Sequence, residues 1–224
     1  MKAFVNTPIT KEKFLKHLRW HQEQDAFIAG TYKDEDSKEF KGCAVGCSIH
    51  SIQMELNGSG SKQYDYSNHK LYEKFLNVPE WLARLEDTIF EGLLEDRRKK
   101  WPVEFAESIN VGADLDKIKH PFCIYLMNEN LKSLYVCECE YNEAKFPDVK
   151  KAIDRTREAI KLTIKYHENP NESAWSAAES AAESAAESAR SAARSAAESA
   201  AWSARSAAYE KQADKLLELM RDCK

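Results

Sequence analysis

The sequence predicts a mainly α protein: a compact helical globular domain over residues 1–168, then one long Ala/Ser-rich helix over 169–224. One short strand or hairpin is expected near 133–141. Two observations predict this class. All six prolines (Pro8, Pro79, Pro102, Pro121, Pro147, Pro170) stand just before runs with apolar residues at helical spacing. There a fixed φ and a missing N–H suit the first turn. Serine, meanwhile, recurs from Ser173 to Ser206 in steps of 3, 4, 4, 4, 3, 4, 4, 4, 3, a register close to the helical period.

The bulk numbers exclude more than they name. A content of 43% hydrophobic and 31% charged residues is that of an ordinary globular chain, and a net charge of −4 gives no reason to expect nucleic acid or anionic membrane as a partner. The N-terminal "MKAFVNTPITKEKF" lacks a signal-peptide core, and no apolar run nears the roughly 18 residues of a membrane span. A cytoplasmic location is expected, with the six cysteines reduced.

In chain order, "TPITKEKFLKHLRWHQEQDAF" brings Phe14, Leu15, Leu18 and His21 to one side of a helix, and "YKDEDSKEFKG" follows as a charged loop. "GCAVGCSIHSI" is a short helical stretch, and "NGSGSKQYDYS" is the segment expected to be most mobile. Asn68 caps "HKLYEKFL". "VPEWLARLEDTIFEGLLE" offers a stripe of Val78, Trp81, Leu82, Leu85, Ile89 and Leu93, with Glu80, Arg84, Glu86, Asp87 and Glu91 on the opposite, solvated side. In that register Leu85 is core and Glu86 surface. "RRKK" precedes the helix of "WPVEFAESI", and "NVGADL" turns at Gly112 with Asp114 as a cap. "PFCIYLMNENL" is apolar nearly all round and so reads as the buried central helix, while "SLYVCECEY" alternates like a strand. "PDVKKAIDRTREAIKLTIKYH" aligns Val149, Ile153, Ile160 and Ile164.

The serine steps form a 15-residue repeat over four turns, and neither glycine nor proline occurs from Asn171 to Lys224. Alanine favours the helix, and Glu187 with Arg190 and Arg194 with Glu198 add side-chain pairs. One unbroken helix over this stretch would be about 75–80 Å long, its serine row drifting by roughly 60° per repeat. The alanine rows make a smooth face, and the remaining row carries the large side chains. Trp175, Ala178, Ala181, Ala182, Ala185, Ala186 and Trp202 are the candidate interaction residues. Helix-to-helix packing, within the chain or between copies, leads over a neutrally expanded solvated repeat and over an ice-type hydroxyl lattice.

Candidate chemistry is sparse. Cys43, Cys47 and His50 at i, i+4 and i+7 share one helical face and suit a zinc site completed by His69 or Cys139, an activated thiolate, or simple core packing. Packing is the expectation, so no metal and no cofactor are expected. His17 and His21, one turn apart, read as a solvated face, and Glu80 with Arg84 as an ordinary i,i+4 pair. "RRKK" reads as solvated too. No phosphate loop, dinucleotide fingerprint, nucleophile elbow or HExxH motif occurs, and no catalytic residue is assigned.

The segments "GCAVGCSIH", "YEKFLNVPEWLARLEDTIFEGL" and "WPVEFAESINVGADL", followed by an Ala-rich helical tail, resemble an uncharacterised family of bacterial and phage proteins over about residues 1–130. The resemblance implies a prokaryotic or phage setting and no catalytic residue. The leading expectation is a non-enzymatic binding protein, by analogy with phage counter-defence proteins, using its C-terminal helix for a protein partner or for self-association. The alternatives are a small enzyme or metal-binding protein centred on Cys43, Cys47 and His50, and a protein sequestering a nucleotide-like ligand in a pocket near Tyr72, Arg84 and Trp101.

Overall fold

The computed structural model describes the backbone of residues 1–57, 63–140, 147–193 and 201–224, and their side chains except at 136–140, 147–148, 187–193 and 201–206. The fold is mainly α. Among the described residues there are ten α-helices and no strand, only an isolated bridge between Phe27 and Gly42. The helices are α1 (Lys11–Glu23), α2 (Ala44–Asn57), α3 (Lys70–Leu76), α4 (Glu80–Gly92), α5 (Glu95–Arg98), α6 (Trp101–Ser108), α7 (Lys119–Glu140), α8 (Pro147–Glu168), α9 (Glu172–Ala193) and α10 (Ala201–Asp222), with a 3-10 turn at Leu115–Ile118.

The chain divides into two compact units, Met1–Ile118 with Trp202–Lys224, and Lys119–Ala201. This is not the division expected at residue 168. The apolar end of α10, with Ala213, Leu216, Leu217 and Met220 buried, belongs to the first unit, while α9 packs on α8 in the second.

In the first unit α1 starts at Lys11, three residues past the expected start at Pro8. The Thr10 hydroxyl accepts from the Lys13 N–H, and Phe14, Leu15, Leu18 and His21 are buried. The ammonium of Lys11 donates to the carbonyls of Glu107 and Ile109, at 2.8 and 2.7 Å, closing the open end of α6. The buried centre here is α2, whose residues 44–49 are buried on every side. Small side chains and two serines let neighbours close over it, as at Ser51, whose hydroxyl donates back to the Cys47 carbonyl at 2.8 Å. The expected central helix, "PFCIYLMNENL", is only half-buried within α7, with Phe122 its one buried member.

α3 ends at Asn77, which takes a left-handed φ of 53° and whose side-chain amide donates to the Val5 carbonyl at 2.8 Å. On α4 the buried face is Leu82, Ala83, Glu86, Ile89 and Phe90, so the expected stripe is rotated: Leu85 is half-buried and Glu86 is core. α10 closes on the same unit. A Cβ on Gly92 would stand 2.1 Å from the Tyr209 ring, and the Asn110 amide donates to the carbonyls of Arg221 and Cys223 at 2.7 and 3.0 Å. Three cations of the "RRKK" run are taken up by structure: Arg98 donates to the carbonyls of Phe90 and Leu93, Arg97 pairs with Asp214, and Lys99 pairs with Asp25 and Glu95, while Lys100 is exposed.

In the second unit the segment expected as a strand near 133–141 is helical through Glu140, as the last turns of α7. Alternation needs a pairing strand to become a sheet, and none is present among the described residues. The side chains of Cys137 and Cys139 lie outside the described residues. A three-residue link then folds α9 back along α8, with the Asn171 side chain accepting from the Ala174 N–H at 2.9 Å as an N-cap. α9 buries Ala178 and Ala185 and half-buries Ala174 and Ala181, spaced 4, 3, 4, while Ala182 and Ala186 stay exposed. Opposite, α8 buries Ala152, Ile153, Ala159 and Ile160, and its Thr156 and Thr163 hydroxyls donate to their own i−4 carbonyls. Trp175 meets Tyr166 edge-on at 5.2 Å and remains about half-exposed. Residues 194–200 and the Trp202 side chain lie outside the described residues, and with them the expected continuity of one helix to Cys223.

Candidate functional site

The site is built from the glycines of "GCAVGC". Cys43 is the last residue before α2, and its sulfur accepts from the Gly46 N–H at 3.4 Å in the manner of an N-cap. The loop from Ala26 to Gly42 folds back onto this helix start. Ile28 N–H donates to the Gly42 carbonyl at 2.9 Å, Gly42 N–H to Ala26 at 3.0 Å, and Cys43 N–H to Thr31 at 2.7 Å. The Tyr32 carbonyl comes so close that a Cβ would stand 2.2 Å from it at Gly42 and 1.8 Å at Gly46. Both positions therefore require glycine for close approach of backbone.

This docking opens a cleft of about 220 Å³ lined by Gly30, Thr31, Tyr32, Cys43, Asp87 and Glu91. Asp87 and Glu91 lie one turn apart on α4. Asp87 Oδ2 accepts from the Tyr32 hydroxyl at 3.1 Å and stands 3.3 Å from Nε2 of the buried His69. Its other oxygen, Oδ1, is buried without a hydrogen-bond partner among the described residues beyond the neighbouring Cys43 thiol. Glu91 accepts from the Gly30 N–H at 3.0 and 3.1 Å. One donor atom each from Cys43, Asp87 and Glu91 lie within 4.8 Å of one another. Burial, then the Asp87 charge, pushes the Cys43 thiol well up; the same two causes raise Tyr32 to about 12. Glu91 is also raised, by burial first.

Beneath the cleft lies a buried polar knot. The Tyr72 hydroxyl donates to Glu86 Oε2 at 2.7 Å, and the Trp101 indole N–H to the Glu86 backbone carbonyl at 3.1 Å. Burial lifts the Glu86 carboxyl to about 8, so at neutral pH it is mostly protonated. Tyr72 and Trp101 are thus core, and Arg84 is exposed and bonded to Glu80 at 2.6 Å. The expected pocket of Tyr72, Arg84 and Trp101 is not assembled.

Nor do Cys43, Cys47 and His50 converge. The Cys47 thiol, pushed up by burial, donates to the carbonyls of Ala26 and Gly42 at 3.6 and 3.5 Å. His50 turns instead to α1, its Nδ1 lying 3.2 Å from His21 Nε2 and its ring stacked on Phe40 at 4.0 Å. Burial, reinforced by neighbouring imidazoles, holds His21 down to about 3 and His50 to about 4. Both are neutral at pH 7. His17, 3.2 Å from Glu55, is near enough to contribute to both depressions.

Tyr32 in the cleft and Glu86 in the knot escaped the sequence reading as functional groups. Asp87 and Glu91 were read only as part of the solvated side of α4, and their meeting with Cys43 depends on how α4 lies against α2. His69 had been named as a fourth ligand and does reach the cleft, through Asp87. No protein-family model, curated protein or solved structure matches this chain.

Proposed function

We propose that this protein is a non-enzymatic binding protein that associates with a second copy of itself through the exposed alanine row of α9. The observation that carries this reading is the division of α9 into two faces. One alanine row is seated on α8, while Ala182 and Ala186 lie in solvent on the helix that also presents the half-exposed Trp175. Alanine methyls bury little area, so such a row gains from contact only where another backbone can come close, which calls for an equally smooth partner. In the sequence the row of large side chains reads Glu179, Glu183, Glu187, Arg190, Arg194 and Glu198, acidic first and basic at its middle. An antiparallel second copy sets acidic against basic segments, as a two-fold contact would.

The chemistry of the first unit supports a role without turnover. Protonated thiols are poor nucleophiles, and burial keeps the Cys47 thiol in that form. A bacterial or phage setting and a counter-defence role belong to the same proposal and rest on the resemblance of the three segments. Sedimentation over a range of concentrations tests the self-association. The expected mass rises toward two chains, and a single-chain mass at every concentration rejects it.

A further inference from the structure

We propose that Cys43, Asp87 and Glu91 bind one divalent transition-metal ion of the zinc class, through the Cys43 sulfur and one oxygen of each carboxylate. Their donor atoms already lie within 4.8 Å of one another. A tetrahedral ion with a sulfur bond of about 2.3 Å and oxygen bonds of about 2.0–2.2 Å draws its ligand atoms to roughly 3.3–3.6 Å apart. A side-chain movement of about 1 Å closes that difference.

The second observation is the other Asp87 oxygen. Asp87 Oδ1 is buried with no partner at hydrogen-bond geometry among the described residues beyond the neighbouring Cys43 thiol, whose proton a cation in the cleft would displace. The surroundings hold the ligands in place as outer-shell groups of metal sites do. Tyr32 and His69 fix Asp87 through Oδ2, and the Gly30 N–H holds Glu91. The Cys43 main chain is tied to Thr31, with Tyr32 seated against Gly42 and Gly46. One sulfur with two carboxylates selects zinc or cobalt over magnesium and calcium, which take oxygen ligands alone. Three protein ligands at an open cleft leave a fourth position for water or a small ligand. The site is independent of the association through α9.

The test uses the full chain freed of metal by a chelator and titrated with Co2+ alone, reading binding stoichiometry and the near-ultraviolet thiolate-to-cobalt charge-transfer band. The expected result is one equivalent bound with the band present. Cys43→Ser should abolish the band, Glu91→Gln should weaken binding roughly tenfold or more while keeping it, and Cys47→Ala should leave both unchanged. Absence of the band in the parent overturns the proposal. So does affinity unchanged by Glu91→Gln, a partly exposed position whose substitution leaves the core intact and which therefore decides the matter even if Cys43→Ser fails to fold.

Discussion

Glu86 shows how one side chain reverses a reading of its helix. Leu85 and Glu86 are neighbours, and spacing by threes and fours puts the leucine inside; the structure puts the carboxyl inside, between Tyr72 and Trp101. Hydrophobic periodicity cannot see a carboxyl that is protonated and hydrogen-bonded, because its burial depends on partners distant in sequence. Glu86→Ala should therefore cost about 1–3 kcal/mol in denaturant unfolding, since it strands the Tyr72 hydroxyl and leaves a cavity. Leu85→Ala should cost less, and the reverse order would restore the stripe read from sequence.

The same residue sets a pH signature. Glu86 titrates near 8 in the fold and near 4.3 unfolded, so the native state binds the extra proton and stability falls as pH rises through that window. His21 and His50 act oppositely: they are depressed to about 3 and about 4 from an unfolded value near 6.5, so their contribution is present above 6.5 and lost on acidification. Stability should peak near pH 6.5, with two protons opposing one below it and Glu86 alone setting the fall above it. Glu86→Gln should flatten the alkaline limb, by up to about 1.4 kcal/mol per pH unit, and steepen the acid one, where the Glu86 proton no longer offsets the two histidines. An unchanged alkaline limb would mean that Glu86 is ionised in the fold.

At the scale of elements, the helix starts were legible because proline and capping residues act locally. Pro79 is the N-cap of α4 and Pro102 lies in the first turn of α6, whereas Pro8 and Pro170 stand ahead of α1 and α9, and His69 rather than Asn68 precedes α3. What was not legible is which helix lies at the centre. α7 has the apolar composition, yet α2 occupies the middle of its unit because glycines and serines admit close neighbours. Gly46→Ala tests this, for the new methyl meets the Tyr32 carbonyl, which is backbone and cannot swing away. A loss of roughly 1–3 kcal/mol in thermal or denaturant unfolding is expected, the cost of overpacking, against a gain if the position were an ordinary helical glycine. The alanine rows of α9 were visible as a packing surface. The row that α8 covers follows from the short link at Asn169–Asn171 and was not resolved by the repeat itself.

For the whole molecule, composition spoke to class and little else. A balanced charge and absent motifs removed nucleic acid and familiar enzymes from the expectations, and no helix among the described residues is long and apolar enough to cross a membrane. The division into units was hidden because the apolar end of α10, Leu216, Leu217 and Met220, is separated in sequence from the helices it joins. The cleft was hidden for the same reason, since Cys43 and Asp87 are joined only by the tertiary fold. On the proposed reading, α9 carries two alanine faces with different tasks, one within the chain and one between copies. The solution mass of the Ala182→Leu, Ala186→Leu double variant tests it most directly. A single-chain mass with the parent's helix content is expected, at concentrations where the parent sediments as two chains. A dimer undisturbed by leucine on the exposed row would contradict it.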